Sequence, residues 1–469
     1  MPTSIGPTST REPGKSASGL ETGQLGRLSL ASLAIASYTP AVGMALAPVL
    51  FFSAGGVNAW PAAFLAMIAV IGVGLAVVAF ARRYVGTGSL YSYVGEVFGA
   101  WSRVLMAATL LLGFVLQLAG TTAIVGIFTG SFLSARGMGS ALDLGPQIVI
   151  YAIAILVSAT VAYRGLDTSV RVAVLLTVVS LPLVLLITFA SVGSTGLQLD
   201  SQLDLGSMSM SSTFLGLAGG IAFLVSFESC TALAAETKDP RRNVPIAVMS
   251  IPVLLGGLYL LATFLQTPGL AAASDALAAG ASPTAALAEQ SGLGSGVATA
   301  TDVVLALAVF ASLIGFVNYG SRFFLTLAQD GLLPRRITSI HPRHHSPSAA
   351  IVLLAVTGFA VLAAAFLLAG DLLTAYNSIA VSIVYAWVLP YLMITVGAVV
   401  LLVRERALAP LTILGAAVGF AGMGWLYVNG IVNPPAPPID AMSWVVLVGI
   451  VVLVVLLGVA YQRRVRSDG

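Results

Sequence analysis

Charge is what this chain has least of. Only 8% of its 469 residues are Asp, Glu, Lys or Arg, against about 25% in an ordinary soluble domain. So few charges cannot cover a globular surface, and a disordered chain would need high charge and low hydrophobicity. A single cysteine excludes a disulfide scaffold and any multi-thiolate metal site. No GxxxxGK[ST] phosphate loop occurs, which argues against ATP-driven pumping. No paired carboxylates, His–carboxylate metal set or Ser–His pair falls at membrane depth, so no enzyme, resident metal or cofactor is expected. No signal peptide is visible, and residues 1–27 are rich in Ser, Thr, Gly and Pro without an apolar core.

Apolar residues fill the space that charge leaves. They make up 58% of the chain, with a mean hydropathy of +1.00. At roughly 20 residues per span, that is enough for twelve membrane helices. Hydropathy places the spans at 28–53, 59–80, 100–133, 146–163, 169–192, 212–234, 244–266, 297–327, 348–369, 372–402, 408–429 and 441–462. The runs do not alternate, as the strands of a membrane barrel would. The expected fold class is an all-α membrane protein of 12 transmembrane helices, embedded in a lipid bilayer.

Basic residues set the expected sidedness. With the N-terminus inside, 20 of the 21 Lys and Arg residues fall on inner ends and loops, leaving Arg136 alone outside. The groups run from Arg11, Lys15 and Arg27 through the 8–9 connection, with Arg322, Arg335, Arg336 and Arg343, to Arg463, Arg464 and Arg466. This one-sided count predicts a multi-pass protein of the cytoplasmic membrane with both termini inside. It also explains the basic pI without a nucleic-acid partner. The longest outer connection, 267–296, contains Pro283-TAALAEQ, a candidate short surface helix.

Two spans are interrupted. In span 1, Ser37-Tyr38-Thr39-Pro40-Ala41-Val42-Gly43 breaks an apolar run. Proline removes a backbone donor there and glycine permits unwinding. In span 6, Ser226-Phe227-Glu228-Ser229-Cys230-Thr231 follows a run of small residues. Backbone groups freed in a bilayer must face protein, water or a ligand. Interrupted helices five spans apart point to an inverted-repeat transporter with its site at the midplane. Each break taken alone also fits a simple packing kink.

The stretch FESCTALAAETKDPRRNVPIAV (227–248) resembles the sixth helix and following loop of the amino acid–polyamine–organocation (APC) superfamily. NYGSRFFLTLAQDGLLPRRITSIHPRHHSPSAAI (318–351) resembles that superfamily's eighth helix and its exit, and GTGSLYSYVGEVFG (86–99) its Gly-Tyr-rich loop. The resemblance implies a first five-helix repeat at 28–192, an inverted second one at 193–402, and helices 11–12 at 403–462. The tails 1–27 (disordered) and 463–469 would both be cytoplasmic. It further implies transport of amino acids, polyamines or related amines, driven by protons, sodium or exchange. Two sites depart from the pattern. Ala41, Val42 and Gly43 stand where the superfamily usually has Gly-Ser/Thr-Gly for a substrate carboxylate, and Ser180 stands where many proton-coupled members keep a lysine.

The expected substrate-binding residues are Ala41, Val42, Gly43 and Met44 in span 1; Gln117 and Thr121 in span 3; Phe223, Ser226, Phe227 and Glu228 in span 6; Asn318 in span 8; and Tyr376 and Asn377 in span 10. Glu228 is the one carboxylate near mid-span, where desolvation disfavours its charged form. It is expected to carry a coupling proton or to contact a substrate amine, the plain alternative being a structural hydrogen bond. Phe223 and Phe227 suggest an aromatic wall over an amine or ordinary core packing. Ser180 and Ser312 are candidate oxygen ligands for sodium, though two hydroxyls fall short of a full cage. Asp302 reads as interfacial and water-exposed. The leading expectation is an alternating-access permease for amino acids or organic amines, proton-coupled or exchanging. The alternative is a polyamine or amine carrier anchored on Glu228, and a non-transporting sensor or enzyme is a distant third. Oligomeric state is not legible.

Overall fold

The computed structural model describes residues 20 and 22–468, apart from 205, 207, 209, 279, 280, 435, 436 and 438. The sequence expectation for the tail at 1–27 therefore falls mostly outside the described residues. Long helices dominate, as they must where a lipid core leaves every backbone polar group to find its partner within the protein.

The first half contains α1 (Arg27–Ala36), α2 (Pro40–Gly55), α3 (Trp60–Ala81), α4 (Leu90–Phe98), α5 (Ala100–Ala135), α6 (Leu144–Tyr163) and α7 (Leu166–Thr195). After the short α8 (Leu199–Gln202), α9 (Met210–Gly220) runs into 3₁₀ turns at Ile221–Phe223 and Phe227–Glu236. Next come α10 (Pro240–Ser250), a π-turn at Ile251–Leu255, α11 (Gly256–Ala272), α12 (Ser274–Ala278) and α13 (Pro283–Gln290). The chain ends in α14 (Gly294–Gln329), α15 (Ser348–Ala369), α16 (Leu372–Arg404), α17 (Pro410–Val432) and α18 (Met442–Asp468).

Among the described residues, eleven stretches are long and apolar enough to cross a membrane, the first of them, Arg27–Ser53, running through the short break between α1 and α2. The twelfth expected span, the sixth, is not in that set: α9 has only eleven residues, stops at Gly220, and the chain resumes as a ten-residue 3₁₀ helix. The expected helix at Pro283 is α13, capped by Ser282, whose side chain accepts from the Ala285 amide. The protein is a multi-pass, all-helical membrane protein.

α5 and α14 form the pillars. Each has 36 residues, roughly 54 Å at 1.5 Å per residue, and they pack along one another with α16 against α5. α2 packs on α9 and α11, which fixes the two interrupted spans side by side. α6, α7, α15, α17 and α18 turn large apolar residues outward, among them Leu156, Leu175, Phe189, Val352, Leu367, Leu414 and Val455. An apolar outer wall of that extent suits contact with lipid. α3 meets α17 through small residues. A Cβ on Gly72 would run into the carbonyl of Gly415, and one on Gly419 would lie 2.7 Å from the Val73 amide nitrogen. Such seams let membrane helices approach backbone to backbone.

Two buried charged residues correct the sequence reading. Arg322, expected on the 8–9 connection, lies inside α14 with 1% of its surface exposed. Asp302, expected to be reached by water, is 3% exposed and accepts from Ser131 Oγ at 2.7 Å and Ser282 Oγ at 2.6 Å. The second correction has a simple cause: the segment leading into α13 folds back over the acid. Asp371, just ahead of α16, caps that helix by accepting from the Thr374 amide at 2.9 Å, which holds its carboxyl below the usual carboxylate range.

Candidate functional site

The break in span 1 is short. α1 ends at Ala36, the chain turns through Ser37 and Tyr38, and Thr39 adopts a left-handed conformation with φ of 40°. Pro40 then starts α2 at a first-turn position, where a missing N–H costs nothing. The amides of Val42 and Gly43 both donate to the Thr39 carbonyl, at 2.9 and 3.2 Å. Among the described residues the Ala41 amide has no such acceptor. One face of the break is pressed against α14. Ser37 Oγ lies 2.8 Å from Tyr319 Oη and occupies the place a Cβ on Gly315 would take.

The break in span 6 is longer and held by side chains. Ser226 is left-handed with φ of 62°. Its amide donates to Tyr391 Oη of α16 at 2.6 Å, and Tyr391 Oη in turn donates to Glu228 Oε2 at 2.7 Å. Tyr38 Oη donates to the Val225 carbonyl at 3.1 Å and lies 3.0 Å from Ser226 Oγ. The two breaks are thus joined directly. Glu228 is fully buried, and its Oε1 has no hydrogen-bond partner among the described residues.

Between the breaks, α5, α14 and α16 lies a cavity of about 50 Å³. Its polar lining comes from Tyr38, Thr39, Gln117, Thr121, Ser312 and Tyr376, its apolar lining chiefly from Val42, Ile124, Phe223, Val309, Phe316 and Ile383. None of the lining residues is charged. At roughly 10–15 Å³ of such space per water, it holds a few waters. A larger solute requires lining side chains to move.

Of the residues singled out from sequence, Val42, Gln117, Thr121, Phe223, Ser312 and Tyr376 face this cavity. Ser226 and Glu228 lie beside it, behind Tyr38 and Tyr391. The others sit elsewhere. Ala41 and Met44 are buried in the packing of α2, and Gly43 is pressed against the Tyr259 ring and hydroxyl. Phe227 packs on Tyr391 at 5.7 Å between ring centroids, away from the cavity. Asn318 donates to Ser169 Oγ at 3.0 Å and accepts from Arg322, and Asn377 is exposed. Ser180 Oγ donates to Thr177 within its own helix at 3.2 Å and is not part of the cavity wall, whereas Ser312 is.

Sequence reasoning missed Tyr391 and Tyr259. Tyr391 follows Pro390 in a long apolar span, a weak signal that says nothing of a partner 163 positions away. Tyr38 and Thr39 were visible as part of the broken motif but not as cavity walls.

A helical membrane protein with two interrupted helices meeting at a small uncharged cavity has the architecture of the inverted-repeat permeases. A family model described as "Amino acid permease" matches residues 25–456. The chain belongs to the amino acid permease family of the APC superfamily. Two curated relatives are each called branched-chain amino acid permease BcaP. The one from Lactococcus lactis is 26% identical over 284 residues, covering 55% of this chain and 58% of the relative. The one from Bacillus subtilis is 22% identical over 294 residues, covering 60% of this chain and 62% of the relative. The matched stretch thus spans less than two thirds of the length of either.

Proposed function

We propose that the protein is a secondary active transporter for neutral amino acids with apolar side chains, working by alternating access. The observation that carries this reading is the uncharged cavity between the two breaks, mainly aliphatic and aromatic with a smaller share of hydroxyl and amide groups. A zwitterion suits such a place. Its carboxylate is drawn to the positive N-terminal end of α2, which reaches the cavity at Thr39 and Val42. Its ammonium is drawn to the negative C-terminal ends of α1 and α9. Its side chain rests against Val42, Ile124, Val309 and Ile383. A third charge on the solute would meet no partner there, and burying it unpaired is expensive. The names of both relatives favour branched-chain substrates.

In this reading the arginine-rich ends of the helices lie in the cytoplasm, with both termini, because 20 of 21 basic residues fall on that side. Glu228 is the coupling residue. It is buried with one oxygen bound by Tyr391 and the other without a partner among the described residues, and Tyr391 links it to the amide of the span-6 break. A proton gained or lost there changes what Tyr391 can bond and thereby the shape of the break. The alternative of an amine carrier anchored directly on Glu228 is less supported, because that carboxylate lies outside the cavity wall.

Counterflow in proteoliposomes tests the substrate. Leucine, isoleucine and valine are expected to exchange, while 3-methylbutylamine and putrescine are not. A diamine exchanging where leucine fails would replace this reading with the amine carrier. For the coupling role, Glu228→Gln is expected to flatten the pH dependence of leucine uptake. An unchanged profile would remove the proton from Glu228.

A further inference from the structure

At the arginine-rich end, four separate parts of the chain meet on one buried ion pair. Arg322 on α14 and Glu236 at the end of the 3₁₀ helix are 1% and 2% exposed. The guanidinium forks onto the carboxylate: Nε donates to Oε2, and Nη2 to Oε1 at 3.0 Å. Nη1 donates to Asn318 Oδ1 at 3.0 Å, and Asn318 Nδ2 donates on to Ser169 Oγ of α7 at 3.0 Å. The Glu236 carbonyl accepts from the Leu25 amide at 3.0 Å, while the Leu25 carbonyl accepts from the Lys238 amide at 2.8 Å. The segment leading into α1 is therefore laced to the end of span 6, and both are held to α14 and α7.

The position of this pair along the pathway matters. Down span 6 the order is Phe223 at the central cavity, then Glu228, Cys230 and Glu236, with Ala235 lining a second space. Down α14 it is Ser312 and Phe316 at the cavity, then Tyr319 and Arg322, with Thr326 lining the same second space. That space is a cleft of about 650 Å³, far larger than the central cavity. On α14 Arg322 falls between the two, and on span 6 Glu236 follows directly on Ala235, at the edge of the cleft.

We infer that Arg322 and Glu236 form the closed clasp between the central cavity and this cleft, with Arg322 the positioning residue for the far half of span 6. The inference rests on the alternating-access reading above. A buried ion pair adds little net stability, since desolvation offsets the attraction, and its best-attested use is to select one arrangement over another. Here it selects the arrangement in which the 3₁₀ helix and the Leu25 segment lie against α14. When the clasp parts, both leave together, because Leu25 is bonded to Glu236 and Lys238 rather than to α14. Lysine cannot substitute fully, since its single ammonium cannot fork onto both carboxylate oxygens and reach Asn318 as well.

The chain carries its own reporter. Cys230, its one cysteine, is 1% exposed in the segment that the clasp holds. Labelling of Cys230 by a charged methanethiosulfonate can be timed in full-length protein in sealed vesicles of either orientation. The double variant R322M/E236M keeps the volume apolar and leaves no charge stranded. It is expected to label about tenfold faster than the parent from the arginine-rich side, as a corresponding shift in the open population requires, and no faster from the other. R322K is expected to label faster by a smaller factor. Labelling of the double variant at the parental rate, with parental thermal stability, would overturn the clasp. If that variant does not fold, R322K decides: a faster rate supports the clasp and an unchanged rate overturns it. No substrate is needed, so failure of leucine counterflow in the parent protein would count against the transport reading and leave this result standing.

Discussion

The two interrupted spans solve the same problem by different means. Span 1 breaks over three residues, and its second half is set locally: Pro40 starts α2 and the Thr39 carbonyl takes up the amides of Val42 and Gly43. Span 6 breaks over a longer stretch and resumes as a 3₁₀ helix of ten residues, a form that seldom runs beyond three or four and often marks a hinge. What holds it is tertiary. Tyr391 from α16 takes the Ser226 amide, and Tyr38 from span 1 takes the Val225 carbonyl. The span-1 break also has side-chain ties, Ser37 to Tyr319 and Thr39 to the Ala308 carbonyl of α14. Its backbone amides are nevertheless taken up locally, whereas the Ser226 amide of span 6 depends on a side chain that can move. Span 6 is therefore the adjustable member of the pair, and it also carries the buried acid.

Substitutions at the two breaks sharpen that contrast. The largest effect is expected from Tyr391→Phe, which leaves both the Ser226 amide and the Glu228 carboxylate without their partner. At about 1–3 kcal/mol for each stranded buried group, thermal unfolding in detergent should move well down, with leucine uptake reduced at least as strongly. A Tyr391→Phe protein with parental stability and uptake would show that span 6 is held by something else. Gly43→Ala comes next. Its added methyl meets the Tyr259 ring and hydroxyl, an overpacking of about 1–3 kcal/mol. Tyr259→Phe in the same protein should recover part of that loss, because the hydroxyl is the nearest atom. The smallest effect is expected from Pro40→Ala. Proline at a helix start presets one dihedral, and removing it costs about 0.4–1 kcal/mol through the unfolded chain. Uptake should stay within about twofold of the parent, since no bond made by the native state is lost. A larger loss would mean that span 1 is not locally fixed.

The sequence made the helices and both interruptions legible because lipid imposes a length and a polarity on every span. Pro40 and the lone mid-span acid Glu228 stand out against apolar surroundings without any structure. Which way a side chain turns on a buried helix is another matter. Asn318 and Tyr376 look equally polar in their spans, yet Tyr376 faces the cavity and Asn318 bonds Ser169 and Arg322. Arg322 read with the loop cations, although it falls inside the expected span 297–327, because its partner, Glu236, comes from another span. Tyr391 was invisible for the same reason. Its importance resides in two groups of span 6, and helical packing rather than local pattern sets that meeting.

The glycine seam between α3 and α17 bears on how the chain can be shortened. With Gly72 facing Gly415 and Gly419 backbone to backbone, α17 supplies the surface against which span 2 is shaped. A protein truncated after α16 would present that shallow groove to acyl chains, which cannot fill it as a second helix does. α17 therefore belongs to the wall that keeps span 2 in place beside the broken spans.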